Sequence, residues 1–201
     1  MFAELLAHPG VVEEVELRSE IGFLAFHGGN LEKGTDDIAR EAARRSGSSL
    51  YAVMQPASLR WHIPSKLIDP AASPPLASFL DHVDVAIAIH GYGRNGLFTT
   101  LLLGGANRVL GAHVGAVIRT GLPQYEIVDD LDAIPTELRG LHPDNPVNRP
   151  RHGGVQVELP PRVRGHGPFW ADHDPTVRTP HTEALIDALA SAAATWPPTG
   201  T

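Results

Sequence analysis

Apolar positions in this chain come in short runs that stop on glycine, histidine or glutamate, with stretches of helical spacing between them. Ile21 to Phe26 is one such run, short and continuous, which predicts a buried strand rather than a helix. Val83 to Ile89 gives the clearest strand signal, being rich in β-formers and closed by glycine at position 91. Val11 to Leu17 alternates loosely, and Ser49 to Met54, Leu59 to Pro64, Val114 to Arg119 and Gly154 to Leu159 complete the predicted strands. Thr35 to Arg45 reads as a helix: Thr35 is a plausible N-cap, Asp36 and Asp37 sit in the first turn, Arg44 and Arg45 in the last, and Gly47 follows. Phe98 to Ala112 reads as a glycine-interrupted helix, and Pro180 to Ala194 as a C-terminal helix with proline at its first position. Residues 69–76 and 143–152 are proline-rich and read as loops, and Trp196 to Thr201 as a frayed tail.

Strands alternating with helices predict an α/β layered domain. At 201 residues one domain spanning 1–201 is expected, and 42% hydrophobic content supplies an ordinary core. The absence of cysteine removes disulfides, thiolate metal sites and cysteine nucleophiles together. Any transition metal must therefore be held by His, Asp or Glu. A net charge of −7 argues against general nucleic-acid binding. The start of the chain lacks a basic segment leading into a long apolar one, and no run is long enough to span a bilayer, so a cytoplasmic protein without membrane partners is expected.

The chemistry gathers where the strands stop. The first buried run ends on His27-Gly28-Gly29, with Glu32 three residues on; Val83 to Ile89 ends on His90; Gly154 to Val157 ends on Glu158. In parallel α/β sheets, sites form beyond the carboxyl ends of the strands. Two histidines and a carboxylate make a usual zinc set with one position left for water, and a further carboxylate beside that water can act as its base. Each residue also has a plainer reading. His27 and its glycines fit a strand exit, Glu32 a solvated acid near a helix N-terminus, and His90 a buried, hydrogen-bonded imidazole. Glu158 fits a salt bridge to Arg149, Arg162 or Arg164. Asn148 and Arg149 could grip a carboxylate or staple their loop, in about equal measure. There is no H-E-x-x-H, Walker or G-x-S-x-G pattern, and Gly91 to Gly96 lacks dinucleotide spacing.

Taken together, the block from His27 through Glu32 to Thr35, followed by Ile38-Ala39, resembles the signature of the poly-γ-glutamate hydrolase family, phage-type zinc peptidases. His62 to Ser65, Ala88 to Gly91, Gly104-Gly105, Asn145 to Arg149 and Gly153 to Leu159 extend the similarity in the family's order over most of the chain. The resemblance implies a three-layer αβα fold with a mixed sheet, zinc-carboxypeptidase-like. It implies Zn2+ on His27, Glu32 and His90, with Glu158 as the catalytic carboxylate. By looser similarity to zinc carboxypeptidases, Asn148 and Arg149 would hold a substrate carboxylate. In the mechanism this set would run, an arginine, Arg60, Arg94 or Arg149, is expected to help stabilise the oxyanion.

The expected function is zinc-dependent hydrolysis of γ-glutamyl amide bonds, in poly-γ-glutamate or in smaller γ-glutamyl or acyl-amino-acid substrates. Two alternatives remain: a zinc deacylase or carboxypeptidase acting on small acidic amides, and a non-catalytic zinc-binding protein.

Overall fold

Short helix α1 (Phe2–Leu6) leads into β1 (Val12–Glu16), β2 (Ile21–Gly29), helix α2 (Thr35–Ser46) and β3 (Ser49–Gln55). Helix α3 (Pro74–His82), β4 (Val85–Gly91), β5 (Thr100–Gly104) and helix α4 (Arg108–Gly121) follow. The chain then runs through β6 (Glu126–Val128) and β7 (Gly154–Leu159) to helix α5 (Pro180–Thr195). These elements come from a computed structural model that describes residues 1–166 and 177–197. The expected tail lies outside the described residues beyond Pro197.

The strands form one seven-stranded sheet in the order β1-β3-β2-β4-β7-β5-β6. Its centre, β3-β2-β4-β7, is parallel, while β1 pairs antiparallel with β3 and β5 antiparallel with β7. The expected mixed sheet is therefore observed. Central parallel strands are covered on both faces, so their runs are apolar throughout instead of alternating. On β2, Phe23 and Ala25 point into the larger core with α2, α4 and α5; Leu24 and Phe26 point into a second core with α1 and α3. Helices on both faces make three layers. A side chain such as Phe23, fully buried, is worth about 1.5–3 kcal/mol in transfer from water.

Several expected boundaries move, each for a local reason. The predicted helix over Phe98 to Ala112 is instead strand β5 followed by α4, and the predicted strand over Val114 to Arg119 lies inside α4. Leu101 to Leu103 is too short a run for a helix, and Gly104-Gly105 closes it. The side chain of Asn107 then accepts from Leu110 N at 2.9 Å, starting the helix there. Residues 69–76 are not all loop: Ser73 caps Leu76 N, and Pro74 and Pro75 occupy the first turn of α3, where a missing N–H costs nothing. Leu59 to Pro64 forms no strand. Its backbone is satisfied by side chains, Gln55 bonding both Trp61 N and Trp61 O at 2.8 Å, and Ile63 O serving a histidine. The cap of α2 is Gly34 at φ +87°, not Thr35, whose hydroxyl instead donates back to Glu32 O.

Candidate metal centre

His27, Glu32, His90 and Glu158 meet at the carboxyl end of the parallel core. β2, β4 and β7 are neighbours in the sheet, so three strand ends open onto one cleft of about 730 Å³. Three local devices aim the side chains. The ladder between β2 and β3 slips between Ala25 and Gly28, an irregularity of the kind that re-aims a side chain, and it falls on Phe26 and His27. The loop after β2 turns back on itself, with Glu32 N donating to His27 O at 2.8 Å, which brings the acid under the imidazole. His90 and Glu158 are register partners on β4 and β7.

Glu32 is the hub. One carboxylate oxygen lies 2.8 Å from His27 Nδ1; the other accepts from Gly91 N at 2.8 Å and lies 3.5 Å from His90 Nδ1. Burial pushes the Glu32 carboxyl upward, but the two histidines more than reverse this, and it is held well below the usual carboxylate range. His27 Nε2 pairs with Ile63 O at 2.9 Å, which turns Nδ1 toward Glu32 and the cleft, where it can serve as a ligand atom. His90 is buried, and its Nε2 has no partner among the described residues.

His62 was not singled out by residue chemistry, only within the resemblance. It packs against His27 with ring centroids 4.7 Å apart, and ligand atoms of His27, Glu32 and His62 lie within 4.8 Å of one another. Its pKa is lowered by burial and by His27, which keeps the imidazole neutral. Two candidates thus exist for a third ligand, His90 from the sheet and His62 from the loop. A donor set of histidine nitrogens and an ionised carboxylate suits zinc.

Glu158 is buried against this cluster, and burial raises its carboxyl above the ordinary range, with His90 pulling the other way. One oxygen accepts from Gln156 Nε2 at 2.8 Å, and Gln156 Oε1 in turn accepts from Asn145 Nδ2 at 2.8 Å. Arg164, considered as a salt-bridge partner for Glu158, donates instead to three backbone carbonyls.

The sequence of residues 2–188 matches the profile of the poly-gamma-glutamate hydrolase family. The chain belongs to that family. Among curated relatives, the SPbeta prophage-derived UPF0714 protein YoqZ of Bacillus subtilis strain 168 is 28% identical over 138 residues, 68% of this chain and 47% of YoqZ. UPF0714 protein YndL from the same strain is 28% identical over 153 residues, 75% of this chain and 56% of YndL. The chain thus spans about half the length of these relatives. A bacteriophage poly-gamma-glutamate hydrolase structure superposes with TM-score 0.78 at 23% identity, covering 95% of this chain and 92% of that one. The zinc-free apo form of YndL gives TM-score 0.76 at 22% identity, covering 92% and 90%. The fold is shared across these family structures.

In this member of the family the other expected substrate contacts are spread out. Asn148 is committed to its loop: Oδ1 accepts from Ala106 N at 2.9 Å, and Nδ2 donates to Gly140 O at 2.7 Å and His142 O at 3.0 Å. Arg149 is exposed, outside the lining of the cleft. Arg60 lines an adjoining groove that shares Glu32 and Gly91 with the cleft. Arg94 is ion-paired to Glu137 on the cleft wall. Lys66 and His142 also line the cleft, and neither was picked out from sequence, where a single lysine or histidine in a polar loop carries no signal. Among the described residues no helix is long and apolar enough to cross a membrane.

Proposed function

We propose that this protein is a metal-dependent hydrolase of γ-glutamyl amide bonds, with His27, Glu32 and His90 holding Zn2+ and Glu158 as general base. The observation that carries the reading is the Glu32 carboxylate set between the Nδ1 atoms of His27 and His90, with Glu158 next to His90 across the ladder. Such a set holds zinc through two nitrogens and an oxygen. Zinc, when bound, supplies Lewis acidity: it lowers the pKa of a water toward ~7 and polarises the scissile carbonyl.

The chain's own residues do the rest. Glu158 takes the proton of the attacking water on its carboxylate and returns it to the leaving amine. Burial suits it to that cycle, because a carboxylate raised above its ordinary value is a stronger base than a solvated one and gives its proton back as an acid. Gln156 donates to one oxygen of Glu158 and fixes which oxygen faces the cleft. Arg60, in the groove that adjoins Glu32, and Arg94, paired to Glu137 on the cleft wall, are the guanidinium groups placed for substrate carboxylates and the developing oxyanion, whereas Arg149 lies outside the cleft and Asn148 is taken up by its loop.

Support for a polymer substrate comes from family membership and from the phage hydrolase that shares the fold. The net charge of −7 favours a second substrate class, short γ-glutamyl peptides or N-acyl amino acids, on which repulsion is smaller. The test is the size distribution of poly-γ-glutamate after incubation with zinc-loaded protein, beside Glu158→Gln. Shortening by the wild type alone supports hydrolase, base and polymer together. An unchanged polymer with turnover of the small amides moves the substrate to the second class. No turnover on either, with zinc bound, refutes the hydrolase reading.

A further inference from the structure

The ends of three strands, with the loop after β2, carry the proposed site, and one side chain ties them together. Arg164 Nη1 donates to Lys33 O at 2.9 Å, Nη2 to Tyr92 O at 3.3 Å and Nε to Leu159 O at 3.2 Å. Lys33 follows Glu32, Leu159 follows Glu158, and Tyr92 stands two residues after His90. The guanidinium therefore reaches one carbonyl from the loop after β2, one just past the end of β4 and one at the end of β7. We propose that Arg164 is a positioning residue that sets the spacing of Glu32, His90 and Glu158, so that the metal site exists as a site before metal arrives.

The chemistry fits arginine and little else. A planar guanidinium presents donors along three directions in a rigid fork, so each of its nitrogens can serve a different strand end at once. A lysine at the same place is a single point charge on a flexible stem. The side chain is only 5% exposed, and its burial costs free energy unless its donors are paired. Burial lowers its pKa to about 10, with Glu32 and Glu158 pulling it back up, so it keeps its charge at neutral pH.

The local sequence is built to hold it. Pro160-Pro161 starts a single 3-10 turn over Arg162–Arg164, and Gly165 at φ +82° ends it. Thr182 on α5 donates to Val163 O at 3.0 Å, fixing the turn from the helix side. On the site side, β4 supplies glycine where the guanidinium lies flat: a Cβ at Gly91 would stand 2.7 Å from Arg164 Cζ. The bare backbone at Gly91 also lets its N–H reach Glu32. Glycine at 91 and arginine at 164 are thus one arrangement.

The inference rests on the metal reading, and the experiment separates the two. Zn2+ affinity is measured by chelator competition, and the visible spectrum is recorded with Co2+, for wild type, Arg164→Met, Arg164→Lys and a matched control, Arg108→Met. Arg108 likewise donates to backbone carbonyls, of Leu103, Gly104, Gly105 and Asp129, but at the end of β5, where Gly104 pairs with Gln156, and to none of the residues that adjoin Glu32, His90 or Glu158 in the chain. The expected result is a roughly 10- to 100-fold loss of Zn2+ affinity with altered Co2+ bands in Arg164→Met, as for removal of outer partners that orient metal ligands. Arg108→Met should lower thermal stability with Zn2+ affinity within about twofold of wild type. If Arg164→Met does not fold, Arg164→Lys carries the same comparison, since it retains charge and loses only the fork.

Wild-type affinity and spectrum in the folded Arg164 variants overturn the inference alone, as does an equal loss in Arg108→Met. A wild type that binds no divalent metal overturns the metal reading and the inference with it.

Discussion

His90 on β4 and Glu158 on β7 face each other as register partners in a parallel ladder, so an imidazole and a buried carboxylate stand side by side at the floor of the cleft. Adjacent strands lie about 4.8 Å apart, close enough for each group to set the charge state of the other. Burial raises the carboxyl of Glu158, and His90 opposes it. Glu158→Gln keeps the shape and removes the proton acceptor. We expect it to retain Zn2+ and lose roughly two orders of magnitude or more in kcat. Retained activity near wild type would remove Glu158 from the mechanism.

The same raised pKa predicts a pH dependence. As base, Glu158 must be ionised, so the acid limb of kcat/KM should lie above the ordinary carboxylate range. For folding the sign is opposite to that of a salt-bridged acid. The folded state of the metal-free protein holds the Glu158 proton more tightly than the unfolded state does, so this contribution favours acid and is lost as pH rises through the folded pKa. Metal-free Glu158→Gln should therefore gain stability relative to wild type as pH rises, measured by urea unfolding with chelator present. An advantage that shrinks with pH contradicts the burial argument.

His90 and His62 compete for the third ligand position, and the proposal takes His90. His90→Ala should weaken Zn2+ by more than the roughly 10- to 100-fold that loss of an outer partner costs, and His62→Ala by less. Chelator competition on both variants decides it. The reverse order gives the position to His62, whose ligand atom already lies within 4.8 Å of those of His27 and Glu32.

What was legible in the sequence follows from which forces are local. The three strand-end residues, His27, His90 and Glu158, could be read because buried parallel strands advertise themselves as apolar runs, and the residue that ends such a run faces the cleft. β5 and α4 were misread because Leu101 to Leu103 and the following glycines fit a strand or a broken helix equally well; pairing with β7, far away in sequence, decides between them. Arg164 was legible as a charge but not as a clamp. Its role needs the ends of three strands at once, and nothing near Pro160-Pro161 in the chain reveals them. His62 lies in a segment with no ladder, held by the side chain of Gln55, so periodicity had nothing to report there.

Removing the metal should also show in stability. His27, Glu32 and His90 lie on two strands and the loop after one of them, and an ion that binds only the folded arrangement stabilises by mass action. Zn2+ at about 100 times its Kd should add about 2.7 kcal/mol, read as a rise in Tm that chelator reverses. A Tm indifferent to Zn2+ and chelator would count against a site made from these strands.

Gly29 tests how tightly the backbone beneath His27 is specified. Its φ is +67°, and a Cβ there would meet Gln55 O at 2.2 Å and Gln55 N at 2.7 Å, both backbone atoms of the neighbouring strand. Gly47, the C-cap of α2, has a similar φ of +69° and nothing within 4 Å of its missing Cβ. Alanine at 47 should therefore cost only the left-handed backbone penalty, about 1 kcal/mol. Alanine at 29 carries that cost plus a displacement of β2 against β3, at the place where the ladder already slips beside His27. We expect Gly29→Ala to lower the urea midpoint well beyond Gly47→Ala and to weaken Zn2+ binding, while Gly47→Ala leaves Zn2+ affinity unchanged. Equal urea midpoints would mean that the strand yields freely, and the irregularity at His27 would lose its role in aiming the imidazole.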